Sequence, residues 1–480
     1  MKGSSSQANS KKKLLLVKLQ QIAFAILAVA LGIGSFWLMT IDFADKPMDC
    51  DDQPNNSRCL ASGLSIQPGV YRFRHYDYQM NPDFSLASWD HQTIVETEYQ
   101  TWVIENNFLR LEVLPEFGGR IISMVNKTTG HESLYQNPVG TPYLMDQGVF
   151  YYDWLMIMGG IFPTVREAEH GVAWNRPWRF ELIEHSPERI TIAMTYTDKD
   201  DFAGKPGNYR IPASELEVSF YVSLHRDRAA VDTITIIGNP TNNTPEFEHW
   251  TLLTMAPGSE PGNTRVDESL MQVGPVSDIH LPDFYWDNPL EWDEFRWFKN
   301  QNEGIAYAKP GMQGSNYWGA VNQANREGLI RIADNNITPG LKNWSFGFDS
   351  LKVDPEAGGE VWHRPTVEMW AGVTPQFWIK DQFPAEGRMD IDETFVPTVG
   401  LSDVSHANEK LLFNLIDGEL QLYFIEPGQP YNVQIVSKGE VVFDQAVEPN
   451  PYRGNRLEGA FGPDAQITIH DAQGQQVFPL

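Results

Sequence analysis

The chain has 480 residues, with 63 acidic against 36 basic side chains and a formal charge of −27. That field excludes nucleic acid as a partner, because phosphate binding needs the opposite sign, and it disfavours strongly anionic substrates unless a local basic patch overrides it. With 41% hydrophobic residues, 38 Gly and 32 Pro, this is a turn-rich globular composition with room for one large all-β domain and a smaller one. The 15 Trp suit stacking on sugar rings as well as core packing.

Residues 1–21 form a basic tail containing Lys11, Lys12, Lys13 and Lys18, expected to lie in the cytoplasm. The uncharged run "IAFAILAVALGIGSFWLMT", Ile22 to Thr40, has the length of a bilayer-crossing helix and is followed by no small-x-small cleavage site. It reads as an uncleaved transmembrane anchor with the rest of the chain beyond the membrane. The expectation is a single-pass inner-membrane protein whose C-terminal part is periplasmic. Cys50 and Cys59 follow the anchor in what would be an oxidising compartment, and a disulfide between them is favoured over a metal pair.

Residues 41–95 are rich in Asp, Asn, Pro and Ser, show little periodicity and read as an extracytoplasmic tether. From Thr101 short alternating runs recur, "TWVIE", "LRLEVL", "RIISMV", "RITIAMTY", "LEVSFYV" and "AVDTITII", split by Gly, Pro, Asn and Asp, the pattern of a large antiparallel sandwich. This predicts a main domain over 96–404 with no long amphipathic helix. The acidic, aromatic stretch "DIHLPDFYWDNPLEWDEFRWFKN" (278–300) is either the wall of a cleft or a self-packed surface loop. Runs such as "KLLFNLIDG", "ELQLYFIE" and "YNVQIVSKG" predict a small β-sandwich domain over 405–480.

Four segments carry a resemblance. "VLPEFGGRIISMVNKTTGHESLYQNP", "GGIFPTVREAEHGVAW", "GLIRIADNNITPGLKNWSFG" and "EMWAGVTPQF" follow one another in the order of the galactose mutarotase-like superfamily. More narrowly they resemble an uncharacterised bacterial mutarotase-like family often fused to tetratricopeptide repeats, although no such repeat is present here. The resemblance implies a β-supersandwich with a concave sugar-binding face, and a Glu acting as base on the anomeric hydroxyl with a His as acid on the ring oxygen.

Ring opening needs one group that accepts a proton and another that donates one, each within hydrogen-bond reach of its own sugar oxygen. Alternation in "TVEMWAG" puts Glu368 and Trp370 on one strand face, and the family motif makes Glu368 the candidate base. His249 in "EFEHWTLLTMAPG" is the better match for the acid by order along the chain. His170, in a loop with Glu169 beside it and Trp174 following, is its rival. Arg120, after Gly118 and Gly119, is read either as a planar fork for sugar hydroxyls or as an anchor of its turn. Lys342 and Trp344, with Trp250 and Trp370, complete the expected substrate-binding set, core packing being the alternative for Trp344.

No metal or cofactor is expected, since Walker, dinucleotide, G-x-S-x-G and H-E-x-x-H signatures are absent from the sequence. The partner is a neutral sugar or glycan, with the membrane engaged through the N-terminal helix and the oligomeric state open. Three chemistries stay open: an aldose epimerase; a polysaccharide lyase drawing on Tyr151, Tyr152, His170 and Arg166 or a glycoside hydrolase pairing Glu169 with Glu368; and a glycan-binding protein without turnover.

Overall fold

The computed structural model describes residues 63–82, 86–142, 155–157, 159–166, 170–203, 210–274, 279–280, 290–308, 316–377, 379–416, 418–462 and 464–479. The basic tail, the anchor 22–40, Cys50 and Cys59 lie outside the described residues, and no helix among those described is long and apolar enough to cross a membrane.

The described chain is almost wholly β-strand, the helical elements being the single turns Trp292–Phe295 and Phe298–Asn300. Two antiparallel sheets build the main domain. The first has eleven strands, running Ser65–Met80, Leu86–Glu105, Leu109–Leu114, Arg120–Asn126, Glu132–Leu134, Trp250–Ser259, Val367–Gly372, Gly340–Phe346, Glu303–Ala308 and Ile279–His280. Gly160–Pro163 is wedged between Arg120–Asn126 and Trp250–Ser259. The second has eight strands, from Leu270–Val273 at one edge through Glu327–Ala333 and Arg388–Val399 to Arg179–His185 at the other.

Burial separates the two kinds of strand. Glu217–His225 in the second sheet alternates strictly between buried and half-buried residues, as a strand with one wet face must. Val367–Gly372, at the middle of the first sheet, is buried at every position. Its neighbour Trp250–Ser259 packs on the second sheet, and His170 and Phe377, both from loops, cover Trp370 on the other face. Between the sheets a polar bridge joins them: Arg331 pairs with Glu393, whose Oε2 also accepts the Thr251 hydroxyl at 2.8 Å, while Arg331 donates to Thr338 Oγ1 at 2.9 Å. Every charge in this bridge has its counter-group, which is the condition for burying it.

The segment read as a tether differs from its expectation. From Ser65 it is strand, and Ser65–Met80 pairs with Leu86–Glu105 as a long hairpin. The residues "YRFRHYDY" (71–78) alternate aromatic and charged side chains, a period-2 signal masked by the Asp- and Pro-rich sequence before it. Tyr71, Phe73, His75 and Tyr78 run along the hairpin as a ladder of ring contacts. The hairpin is tied to the domain where Tyr76 OH donates to Asp354 Oδ2 at 2.7 Å and Arg74 pairs with Glu360 at 2.8 Å.

Toward the C-terminus, strands between His406 and Phe478 form two four-stranded sheets around a core that includes Leu420, Leu422, Val433, Ile435 and Ile469. They are joined to the main domain by Arg228–Glu426 at 2.8 Å and by Tyr423 OH, which reaches the Pro397 carbonyl at 3.1 Å.

At one end of the first sheet the register aligns Trp250, Gly372 and Gly340 across three strands. The Trp250 indole lies flat over the two glycines, because a Cβ on Gly372 would sit 2.3 Å from the ring and one on Gly340 would sit 2.7 Å from it and 1.9 Å from the Thr374 carbonyl. Gly340→Ala is therefore expected to lower stability by about 1–3 kcal/mol through overpacking. Urea unfolding checks this, and a midpoint equal to that of the parent protein would refute the packing.

Candidate functional site

The register of the central strands decides which side chains share the roofed face. Residues directly opposite in an antiparallel pair lie on the same face. One row reads Phe162, Leu252, Trp370 and Lys342; the next reads Gly160, Thr254, Glu368 and Trp344. Four of the expected site residues, Glu368, Trp370, Lys342 and Trp344, thus stand together, with Trp250 as the floor beyond them.

Trp370 is the hub. Its indole N–H donates to Glu368 Oε2 at 3.1 Å. The Lys342 ammonium lies 4.3 Å from its ring centre and 3.5 Å from that of Phe377, while Phe377 stands at 90° to Trp370 and to Trp250. These are the distances of cation–π and edge-to-face contacts. His170 arrives from a loop: its ring is 5.3 Å from Trp370 and 6.4 Å from Phe162. Glu368 and His170 therefore meet around one indole. Glu368 is 4% exposed and Lys342 and Trp370 are 1% exposed, whereas His170 and Trp344 remain half-buried and form the accessible part of the cluster.

The electrostatics of His170 follow from this placement. Burial, then the charges of Lys342 and Arg120, push its pKa down to about 3. Near neutral pH it is an uncharged imidazole, able to donate and accept hydrogen bonds but not to deliver a proton as imidazolium.

Arg120 is 1% exposed and anchors its surroundings. Its Nε donates to Phe117 O at 3.0 Å, Nη1 to Ile157 O at 2.8 Å and Gly159 O at 3.2 Å, and Nη2 to Trp174 O at 2.9 Å. Its guanidinium rests 4.2 Å from the Phe162 ring. Of the two readings of Arg120, turn anchor and sugar fork, this is the first, with main-chain carbonyls in place of an ion pair. Burial lowers its pKa to about 9. Trp174, expected to bind substrate, is 2% exposed and packs edge-on against Phe117, so its role here is in the core. Glu169, Tyr151 and Tyr152 lie outside the described residues, and Arg166 is paired with Asp198 at 3.1 Å.

His249 is not brought to this face. It has the parity of Thr251, whose hydroxyl reaches Glu393 of the second sheet, and it is fully buried with Nδ1–H donating to Thr164 O at 2.7 Å. Burial outweighs the Thr164 carbonyl and the Glu393 charge, and its pKa falls to about 4. Order along the chain favoured His249 over His170; strand alternation reverses that choice.

The structure adds residues that the sequence left unassigned. Phe162 and Phe377 sit inside the quoted motifs, and counting by two from Trp250 would have found Thr254. Tyr135 lies inside the quoted motif that ends in "SLYQNP", but nothing local marks its partners. It is fully buried, and its hydroxyl accepts Arg364 N–H at 3.0 Å and is hydrogen-bonded to His363 Nδ1 at 3.2 Å. The negative charge of Glu368 helps burial hold this phenol protonated.

An open cavity of about 550 Å³ lies elsewhere, between Trp292, Arg296, Tyr317 and Asp403. The described part of the acidic aromatic stretch walls it, with Arg296 held by both oxygens of Asp403 at 2.8 Å.

The fold is similar to those of solved proteins described as galactose mutarotase-like. The family named Domain of unknown function (DUF5107) matches residues 78–355, more than half of the chain, and the chain belongs to it. Among solved structures, a TPR-domain containing protein from Parabacteroides distasonis is similar with a TM-score of 0.53 and 17% identity. The match covers 70% of this chain and 55% of that one, so this chain spans little more than half of that protein's length. A galactose mutarotase-like protein from Clostridium acetobutylicum aligns with a TM-score of 0.42 and 9% identity over 62% of this chain and 95% of its own. A galactose mutarotase related enzyme from Lactobacillus acidophilus aligns with 0.39 and 11% over 64% and 99%.

Burial also lowers the pKa of His363 to about 3. For His249 and His363 the folded values lie below the ordinary value near 6.5, so the unfolded chain binds more protons between the two. Their contribution is neutral above about pH 6.5 and increasingly destabilising as pH falls toward the folded values. Each adds a slope of about 1.4 kcal/mol per pH unit. Unfolding free energies from pH 7.5 to 5 should fall accordingly, and His249→Gln, which keeps a donor for Thr164 O, should flatten the slope by about one histidine's share. An unchanged slope in that variant would contradict the assignment.

Proposed function

We propose that the roofed concave face binds a neutral sugar or the end of a glycan, and that Glu368 moves a proton there in an aldose epimerase type of reaction. The observation that carries this is the convergence of the Glu368 carboxylate and the His170 ring on the Trp370 indole, with half-buried Trp344 directly across from Glu368 as a stacking surface. Glu368 takes the proton of the anomeric hydroxyl, the bond between C1 and the ring oxygen breaks, and the ring oxygen takes up a proton. The aldehyde rotates and recloses on its other face by the reverse steps. The neutral state of His170 fits a hydrogen-bonding role on the sugar. The proton for the ring oxygen is better supplied by the Lys342 ammonium, which stands one row away on the same face. The N-terminal segment 22–40 suggests that the domain works at the periplasmic side of a membrane.

A second reading, binding without turnover, is favoured by that same neutral imidazole, which is a weak proton donor. The lyase and hydrolase alternatives draw on Tyr151, Tyr152 and Glu169, outside the described residues, and Glu368 is the carboxylate that the described rows bring to this face.

Anomer exchange followed by NMR with the purified full-length protein and a panel of aldoses tests the proposal. Glu368→Gln and Lys342→Met should each lower the rate by about 10²-fold or more, while His170→Gln lowers it less. The rate should show no inflection near pH 6.5 from His170. Binding without exchange in the parent protein supports the second reading, and exchange untouched by Glu368→Gln rules out the first.

A further inference from the structure

One polar atom on the concave face has no role in the chemistry above. Thr254 is fully buried, and its Oγ1 has no hydrogen-bond partner among the described residues. Buried hydroxyls are almost always bonded, and leaving one unmet destabilises a fold. The main chain here is in order, since Thr254 O accepts the Tyr135 N–H at 3.0 Å. Only the side chain is idle.

Its neighbours indicate what it waits for. Glu368 lies directly opposite on the adjacent strand, a position that brings Cβ atoms to about 4.5–5.5 Å. On the other side the register places Gly160. Gly160 has a φ of +92°, and a Cβ there would meet the Ile121 carbonyl at 2.4 Å, so this position stays without a side chain and offers the hydroxyl no partner. The row thus sets a carboxylate and an unbonded hydroxyl side by side, with Trp344 next to Glu368 on the following strand.

We propose that Thr254 is a specificity residue that binds the hydroxyl next to the anomeric one, so that the ligands of this face are aldoses with a free 2-hydroxyl. This rests on the reading of Glu368 as the group at the anomeric oxygen. A carboxylate and a hydroxyl side by side match two neighbouring hydroxyls of one sugar ring. The Thr254 hydroxyl lacks both a donor and an acceptor partner, and a sugar hydroxyl supplies both, whereas the ring oxygen accepts only.

Thr254→Val keeps the shape and removes the hydroxyl; Thr254→Ser keeps the hydroxyl. Anomer exchange of D-glucose and D-galactose is compared with that of 2-deoxy-D-glucose and 2-deoxy-D-galactose in full-length protein. Thr254→Val should lower kcat/KM for the first pair about 10-fold, leave the 2-deoxy pair within about twofold, and Thr254→Ser should restore most of the loss. Without ligand, the Tm of Thr254→Val should equal or exceed that of the parent, by about 1–2 °C, because an unmet buried hydroxyl is gone. Equal loss for both sugar pairs would overturn the proposal, as would a fall in Tm of several degrees. Failure of the Glu368 reading shows instead in the parent protein as absence of exchange. The same four sugars are then compared by saturation-transfer NMR, where binding indifferent to the 2-hydroxyl, or no binding, also overturns the role of Thr254.

Discussion

The site depends on the pairing register of three strands, Trp250–Ser259, Val367–Gly372 and Gly340–Phe346. Because side chains alternate with a period of two, a slip of one residue in any of them would turn its functional set toward the second sheet. The register is held by shape as well as by hydrogen bonds. Trp250 fits only where two glycines face it, and Thr251 on the opposite face must meet Glu393. One strand thus satisfies two chemistries at once, an aromatic floor on the face of Trp370 and a polar bridge toward the other sheet. The parity that delivers Thr254 and Trp250 to the concave face is the parity that denies it His249.

The second organising feature is charge held in a dry place. The protein is strongly acidic overall, yet its candidate site contains two buried cations, Lys342 and Arg120. Arg120 directs its donors to carbonyls of three different segments and so ties the segment just before Phe162 to the loop that carries Trp174. Lys342 lies among aromatic rings. Burial first, and then these two charges, keep His170 uncharged, which separates this cluster from a simple base-and-imidazolium pair. The roofed state of Glu368, Trp370 and Lys342 is what strengthens such interactions, since they act in a medium of low effective dielectric.

Much of this was legible in the sequence where alternation and motif coincide. "TVEMWAG" gave both the strand and the shared face of Glu368 and Trp370, and the Pro-Gly turn before Lys342 placed Trp344 with it. What failed did so for physical reasons. His249 and His170 cannot be ranked by order along the chain, because their difference lies in strand parity for one and loop placement for the other. Arg120 looked equally like a sugar ligand and an anchor until its four carbonyl partners were visible. The aromatic alternation of residues 71–78 was hidden by the tether-like composition preceding it. Tyr135 and His363 are more than two hundred residues apart and carry no local mark of their pairing.

The central claim is that one ligand position on the concave face is shared by Glu368, His170 and Trp344. A crystal structure of the protein soaked with D-galactose tests it most directly. The account predicts a sugar ring against the Trp344 indole with its anomeric oxygen about 2.6–3.2 Å from the Glu368 carboxylate. A sugar held instead in the cavity beside Arg296 and Asp403, with Glu368 still bonded only to its protein neighbours, would contradict it.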